Sequence, residues 1–210
     1  MESEKLERLK GLIDDNKGKR KFVQSVELAI NFSGINFTKA ENRINIEVTL
    51  PNGRGKSSKA VLFADDDSLS SKAKEVGATV VRSSELQALQ SDKARMNELL
   101  KSELMAQPNL MPQIAKALGQ FLGPRNKMPR PFLGGDIAAA VTKASSSIYL
   151  RSKGKYLPTV HCMVGKENMD VQKIAENIDS VVDSVVKQVG KHNLKSVYVK
   201  LTMSAPLRIV

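Results

Sequence analysis

The hydrophobic pattern of this chain changes its period twice, and each change indicates a different kind of sheet. Near both ends apolar and polar residues alternate, as in strands with one buried face. Such strands are predicted over 25–32, 43–50, 156–165 and 196–203. In the middle, strands such as 59–64 are apolar throughout and alternate with helical patterns. That arrangement favours a parallel sheet with helices on both of its faces.

Two amphipathic helices accompany the alternating strands. The first is predicted over 3–16, and the second over about 170–189, with Gly190 as its stop. Four half-buried strands and two such helices predict one antiparallel sheet that has helices on one face and water on the other.

The middle of the chain is predicted to form a separate domain. Its expected elements are strands over 59–64, 78–83 and 146–152, and helices near 68–76, 84–102, 109–122 and 135–144. We therefore expect an α/β domain, residues 63–153, inserted into a discontinuous α+β domain, residues 1–62 and 154–210. The segment "RSKGK" at 151–155 is expected to be a flexible exit from the last strand of the insert.

The charge balance narrows the class of partner. The chain has 33 Lys and Arg against 22 Asp and Glu, a net charge of +11. A balance this basic points first to nucleic acid and second to acidic membranes. We find neither a strongly apolar helix face opposite a lysine-rich one nor a lipidation signal, so nucleic acid is favoured and no membrane partner is expected.

Cysteine content and the N-terminus indicate the compartment. The single cysteine, Cys162, excludes an internal disulfide framework and fits a reducing cytoplasm. The first ten residues are charged throughout, so they cannot form the apolar centre of a secretory signal. A cytoplasmic protein is expected.

No constellation predicts catalysis, a cofactor or a metal. "GRGKSS" at 53–58 resembles part of a phosphate-binding loop, but Leu50 stands where that loop needs its first glycine. Three consecutive aspartates, 65–67, are a weak metal signal and are better explained as a solvated loop that caps the next helix. His161 and Cys162 are adjacent on a strand and point to opposite faces. A nucleotide-dependent enzyme built on the α/β domain is the competing interpretation.

Two basic segments are candidates for RNA contact. "KGKRKF" at 17–22 enters the first alternating strand, where Ser25 and Glu27 point outward. An aromatic ring beside lysine and hydroxyl groups can stack a base and hold a ribose 2′-hydroxyl, although Phe22 would by default be a core residue. The loop 121–135 carries Arg125, Lys127 and three prolines, and could contact phosphate or be a plain surface loop.

Three motifs in order resemble the large-subunit ribosomal protein L-one family in its archaeal form: "NRINIEVTLPNGRGK", "LGPRNKMPRP" and "SVYVKLTM". The resemblance implies a split β-α-β domain of the α+β class that binds RNA, with a Rossmann-like α/β insert on a hinge. It implies a non-enzymatic protein, monomeric when free, that binds large-subunit ribosomal RNA and forms the mobile stalk near the exit-site tRNA. It also implies repression of the protein's own mRNA. A free regulatory RNA-binding protein that never joins the ribosome remains an alternative.

The resemblance also implies which residues contact RNA: Lys21, Phe22, Ser25, Glu27, Ser196, Thr202, Met203 and Ser204, with Gly165, Lys166, Arg125 and Lys127 as further contacts. Two positions depart from the family pattern, because Ser204 and Asn126 stand where glycine is usual. Glycine permits a close approach or a positive φ, and Asn tolerates positive φ better than other residues. For Met203 the two lines of reasoning differ, since strict alternation would turn this side chain into the core.

Overall fold

The computed structural model of the chain describes residues 3–56, 59–152 and 157–209. The predicted domain boundary at 153/154 and most of the predicted flexible exit at 151–155 lie outside these residues. The helices are α1 (Ser3–Asn16), α2 (Asp67–Glu75), α3 (Leu86–Ser91), α4 (Lys93–Lys101), α5 (Met111–Leu122), α6 (Ile137–Ser146) and α7 (Val171–Val189). The strands are β1 (Ser25–Phe32), β2 (Asn45–Thr49), β3 (Ala60–Phe63), β4 (Thr79–Val81), β5 (Glu103–Ala106), β6 (Arg130–Pro131), β7 (Ser147–Arg151), β8 (Thr159–Lys166), β9 (Leu194–Leu201) and β10 (Leu207–Arg208).

The chain divides into two compact units. One, here called the terminal unit, comprises Met1–Lys56 and Ser146–Val210, and the other, the middle unit, comprises Ser57–Ser145. Antiparallel sheets occur in the terminal unit and a parallel sheet in the middle unit, so the chain is a mixed α/β protein. No helix in the described ranges is long and apolar enough to span a membrane.

The main sheet of the terminal unit is antiparallel and has the strand order β10-β9-β1-β8. Along β1 every second residue is buried and the others are half-buried. The buried side chains of this sheet join those of α1 and α7 in one hydrophobic cluster, which includes Leu28, Val199, Ile13 and Ile178. The alternation along residues 25–32 predicts the limits of β1 correctly, because a sheet with one solvated face requires that pattern.

The pairing of the strand predicted over 43–50 differs from expectation. We predicted it in the main sheet, whereas β2 pairs antiparallel with β7 in a separate two-stranded sheet. The fourth strand of the main sheet is instead the short β10. Val48 of β2 and Leu150 of β7 still pack into the same hydrophobic cluster. Alternation reports a buried face and not the identity of the partner strand, which explains both the success and the error.

The middle unit contains a parallel sheet with the order β4-β3-β5-β6. The sequence analysis missed β5, which lies between β3 and β6 and is buried along its whole length. This strand has only four residues and begins with Glu103, and it lies in the short interval between the helices predicted over 84–102 and 109–122, to which no strand was assigned. The strand predicted over 146–152 was assigned to the α/β domain, but as β7 it pairs with β2 of the terminal unit.

A fully buried amide fixes the glycine-rich turn after β2. Asn177 of α7 donates from Nδ2 to Gly53 O at 2.9 Å and to Val164 O at 2.8 Å. Its Oδ1 accepts from Asn52 N at 3.1 Å. Because buried polar atoms are costly unless they are hydrogen-bonded, these contacts hold the turn in one place against α7 and β8.

Replacing Asn177 by Ala is expected to lower the free energy of unfolding by about 2–3 kcal/mol, since it leaves the buried Val164 carbonyl and two turn groups without their partner. Urea denaturation followed by circular dichroism measures the loss. Gln188→Ala is the matched control, because Gln188 is an exposed amide on the same helix. It should change the value by less than about 0.5 kcal/mol. Equal effects of the two substitutions would contradict the assigned role.

Candidate nucleic-acid interface

The face of the main sheet opposite the hydrophobic cluster, here called the open face, is organised in rows across β9, β1 and β8. Antiparallel pairing aligns each outward residue of β1 with one residue on either side. The four rows are Thr202–Ser25–Lys166, Lys200–Glu27–Met163, Tyr198–Ala29–His161 and Ser196–Asn31–Thr159. Five of the twelve residues that the family resemblance implies share this surface, namely Ser25, Glu27, Lys166, Ser196 and Thr202.

Hydrogen bonds connect the first row. Ser25 N donates to Thr202 Oγ1, and Thr202 N donates to Ser25 O, each at 3.1 Å. Lys166 Nζ donates to Ser25 Oγ at 2.9 Å. These three residues are half-buried. They present a rigid group of two hydroxyls and one ammonium at one edge of the open face.

Met203 leaves the core because β9 ends before it. The last strand residue is Leu201, and a turn follows in which Ser204 N donates to Leu201 O at 3.2 Å. The Met203 side chain is 56% exposed, so the alternation of β9 predicts its orientation wrongly. Its backbone N–H donates to Gln24 Oε1 at 3.1 Å.

The two positions that depart from the family glycines behave differently. Asn126 is the one described non-glycine residue with positive φ, at 53°, which agrees with the tolerance of Asn for that conformation. Ser204 does not have positive φ, so it carries no backbone strain. Its hydroxyl accepts from Leu201 N at 2.8 Å and donates to Ala205 O at 2.9 Å. The Ser204 side chain thus stabilises the turn that presents Met203.

Gln24 is a buried polar residue beside the candidate RNA contacts that was not singled out from the sequence. Its side chain is 1% exposed and donates from Nε2 to Glu167 Oε2 and to Asn16 O, each at 3.1 Å. Together with the bond from Met203, these contacts join the end of α1, the turn after β9 and the segment after β8. A signal was present, because a polar residue at position 24 lies in phase with the buried residues of β1.

Exposed apolar and basic residues lie where β1 begins. Phe22 is 51% exposed and Val23 is 49% exposed, so Phe22 is not a core residue. The cluster of Lys17, Lys19, Arg20 and Lys21 just before them is exposed as well. Since β1 and β9 are antiparallel, the start of β1 and the end of β9 lie at the same end of the sheet, here called its edge. Exposed apolar side chains of this kind mark interaction sites.

The remaining rows place Glu27 and Ser196 further along the open face. Glu27 is opposite Lys200 of β9, so the carboxylate and the ammonium are cross-strand neighbours. Ser196 Oγ accepts from Asn31 Nδ2 at 3.0 Å, and Asn31 Oδ1 accepts from Thr159 Oγ1 at 2.8 Å. Ser196 is only 6% exposed, so it presents little surface of its own.

Gly165 has a packing role. It is buried, and a Cβ at this position would lie 3.2 Å from both Ile174 Cγ1 and Met169 Sδ. A larger residue would push α7 away from β8, next to Lys166.

Arg125 and Lys127 of the middle unit contact their own chain. The Arg125 guanidinium lies 4.1 Å from the centre of the Phe121 ring and donates to Phe121 O at 2.8 Å. Lys127 Nζ donates to Ser102 O at 3.2 Å and lies 3.9 Å from Glu103 Oε1. These contacts hold the basic loop against the middle unit.

The three consecutive aspartates have structural partners, and the cysteine is unreactive. Asp66 caps α2 by accepting from Ser68 N, and hydrogen bonds from Ser68 lower the pKa of the Asp66 carboxyl below its usual value. Asp65 accepts from Ser83 N, and Asp67 pairs with Arg82. Burial raises the pKa of the Cys162 thiol from 9.0 to about 12, which makes it a poor nucleophile. Within the described residues no cluster of His, Cys, Asp and Glu could hold a metal ion.

A sheet face that combines cations, hydroxyls and exposed apolar side chains is typical of proteins that bind RNA. The chain belongs to the ribosomal protein L1p/L10e family, which matches residues 12–205. It is 38% identical over 202 residues to large ribosomal subunit protein uL1 of Thermoplasma volcanium, covering 94% of this chain and 92% of the relative. The protein of the same name from Methanococcoides burtonii is 38% identical over 216 residues and 100% of both chains. The resemblance stated from three motifs is confirmed, and this is a family of ribosomal proteins and not of enzymes.

The raised pKa of Cys162 predicts a specific pH dependence of stability. The unfolded thiol ionises near its ordinary pKa of 9.0, whereas the folded thiol stays protonated to about 12. Its contribution is therefore complete below pH 9 and is lost as the pH rises above that value. Between about pH 8 and pH 10 the wild type should lose about 1 kcal/mol more unfolding free energy than Cys162→Ala, because the variant has no thiol at this position. Parallel pH profiles of the two proteins would contradict this assignment.

Proposed function

We propose that this protein binds large-subunit ribosomal RNA through the edge of the main sheet where β1 begins and β9 ends. One observation carries the proposal. The exposed side chains of Phe22 and Met203 occur at the same edge as the hydrogen-bonded row Thr202–Ser25–Lys166. Four exposed cations precede Phe22. Membership of a ribosomal protein family supports the choice of ribosomal RNA over other nucleic acids.

Each kind of side chain has a distinct part in this binding. Phe22 and Met203 offer apolar surface to bases and ribose, and stacking on such surfaces requires bases that are unpaired or at the end of a helix. The Ser25 and Thr202 hydroxyls and the Glu27 carboxylate can bond ribose 2′-hydroxyls, which distinguishes RNA from DNA. Lys21 and its neighbours neutralise phosphates and so supply affinity that depends on salt. Arg125 and Lys127 belong to the middle unit and would be contacts separate from this set.

The finer parts of the function follow from the family resemblance. We propose that the terminal unit is the discontinuous RNA-binding domain and that the middle unit is the inserted domain, moving about the two chain crossings. In the ribosome the protein would form the mobile stalk near the exit-site tRNA. It would be cytoplasmic and monomeric when free, and it would repress its own mRNA where that message copies the ribosomal RNA site.

Filter binding tests the RNA target directly. The full chain is titrated with fragments of large-subunit ribosomal RNA from one of the archaeal relatives, with small-subunit fragments as the control, at two salt concentrations. Tight binding to one large-subunit fragment alone is expected. Sedimentation with isolated large subunits then distinguishes a ribosomal component from a free regulatory RNA-binding protein, which would stay in the supernatant. Equal affinity for all fragments would overturn the proposal.

Substitutions at the end of β9 should weaken binding of the specific fragment. Thr202→Ala removes a hydroxyl bonded to Ser25, and Met203→Asp places a carboxylate against RNA, so each should cost more than tenfold in affinity. Thr202→Ser keeps the hydroxyl and should retain most of the affinity. Thermal unfolding of each variant separates lost contact from lost fold. Wild-type affinity of Thr202→Ala would remove this edge from the RNA-binding surface.

Two lysines should differ in their effect on salt dependence. Lys21 is exposed beside the edge, so Lys21→Gln should reduce the slope of log K against log salt by about one. Lys127 bonds Ser102 O within the middle unit, so Lys127→Gln should leave the slope unchanged and lower the melting temperature instead. The reverse pattern would place the phosphate contact on the middle unit.

A further inference from the structure

At the centre of the open face a small residue lies between two aromatic residues, an arrangement here called the trough, which the proposed RNA contacts do not use. Its floor is Ala29, the smallest of the four outward residues of β1. Tyr198 of β9 and His161 of β8 are the cross-strand neighbours of Ala29 on its two sides. Since paired strands lie about 5 Å apart, the two strands that carry these rings are about 10 Å apart, with the Ala29 methyl group on the strand between them.

The two rings have no partner in the part of the chain that the structure describes. Tyr198 is half-buried and His161 is exposed, and neither side chain makes a hydrogen bond, ion pair or ring contact among those residues. The adjacent row behaves differently, because Ser196, Asn31 and Thr159 bond one another. The aromatic row therefore has no side-chain partners among the described residues, whereas the polar row beside it is hydrogen-bonded.

Charge and continuity indicate what occupies the trough. Along β1, the trough lies two rows from the row Thr202–Ser25–Lys166 on the same face, so RNA bound at that edge can continue over it. Lys200 follows Tyr198 by two residues on β9, and Arg208 of β10 extends the row beyond Tyr198. Glu27 is the single acidic residue among the twelve residues of the four rows, so the face suits a polyanion.

We propose that the trough binds one unpaired base of the same RNA, stacked on Tyr198 above Ala29, with His161 available to hydrogen-bond the edge of the base. The inference rests on the proposed function, since it concerns a nucleotide of the RNA bound at the sheet edge. Aromatic side chains on a solvated sheet are a common platform for bases that are splayed out of a helix. The trough would give the protein a contact with a base, in addition to contacts with ribose and phosphate.

Three variants and one control test the trough against the ribosomal RNA fragment selected above. Ala29→Leu fills the floor, Tyr198→Leu removes the ring, and Tyr198→Phe keeps the ring. The first two should weaken binding by roughly 5- to 100-fold, and Tyr198→Phe by no more than about twofold. The salt slope should stay at the wild-type value, because no phosphate contact is lost. Tyr149→Leu is the control, since Tyr149 is 38% exposed on the separate two-stranded sheet.

A spectroscopic measurement keeps the test independent of how the variants fold. In the wild-type protein labelled at alanine methyl groups, the Ala29 signal should move upfield when the RNA fragment binds, because a stacked base shields the methyl below it. If the fragment binds, this signal stays in place and Ala29→Leu binds with wild-type affinity, then the proposal that the trough binds a base is wrong and the proposed function stands. If the wild type binds no large-subunit fragment, both are overturned.

Discussion

Backbone pairing of β1 with β9 on one side and β8 on the other is the interaction on which the terminal unit depends. This pairing turns Leu28 and its alternate neighbours into the hydrophobic cluster and the intervening residues onto the open face. A slip of one residue would exchange the two sets, so burial of the cluster fixes the position of every candidate RNA contact on the sheet. The stability of the core and the geometry of the surface therefore have one cause.

Buried amide side chains fix the positions of two turns, where no strand pairing does so. Gln24 connects the turn that presents Met203 with the end of α1, and Asn177 anchors the turn after β2. Leaving either amide without partners in the interior would cost free energy, so each turn has a preferred position even though it is a loop. Such preorganisation lowers the entropy that the chain loses when a partner binds.

Local periodicity was sufficient to predict both long helices of the terminal unit and its strands other than the short β10, including the limits of β1. It could not predict that β2 pairs with β7, because pairing is a choice between distant segments that satisfy the same pattern. It did not predict β5, because four residues are too few to establish a period. It placed the Met203 side chain in the core, because the end of a strand depends on turn hydrogen bonds such as the one that Leu201 N donates to Ser204 Oγ. The family resemblance named Thr202 and Met203, whereas only the structure reveals Gln24 behind them.

The pairing of the first strand with strands near the far end of the chain has a consequence for synthesis. Ser25 bonds Thr202 across 177 positions, and β1 lies between β9 and β8. While the ribosome makes the chain, residues 17–32 emerge long before their partners, so the terminal unit can be completed only after nearly all residues have left the exit tunnel. The row that contains Ser25 and Thr202 therefore exists only after residue 202 has been made, and a product truncated before that residue would carry the basic segment 17–22 without this row.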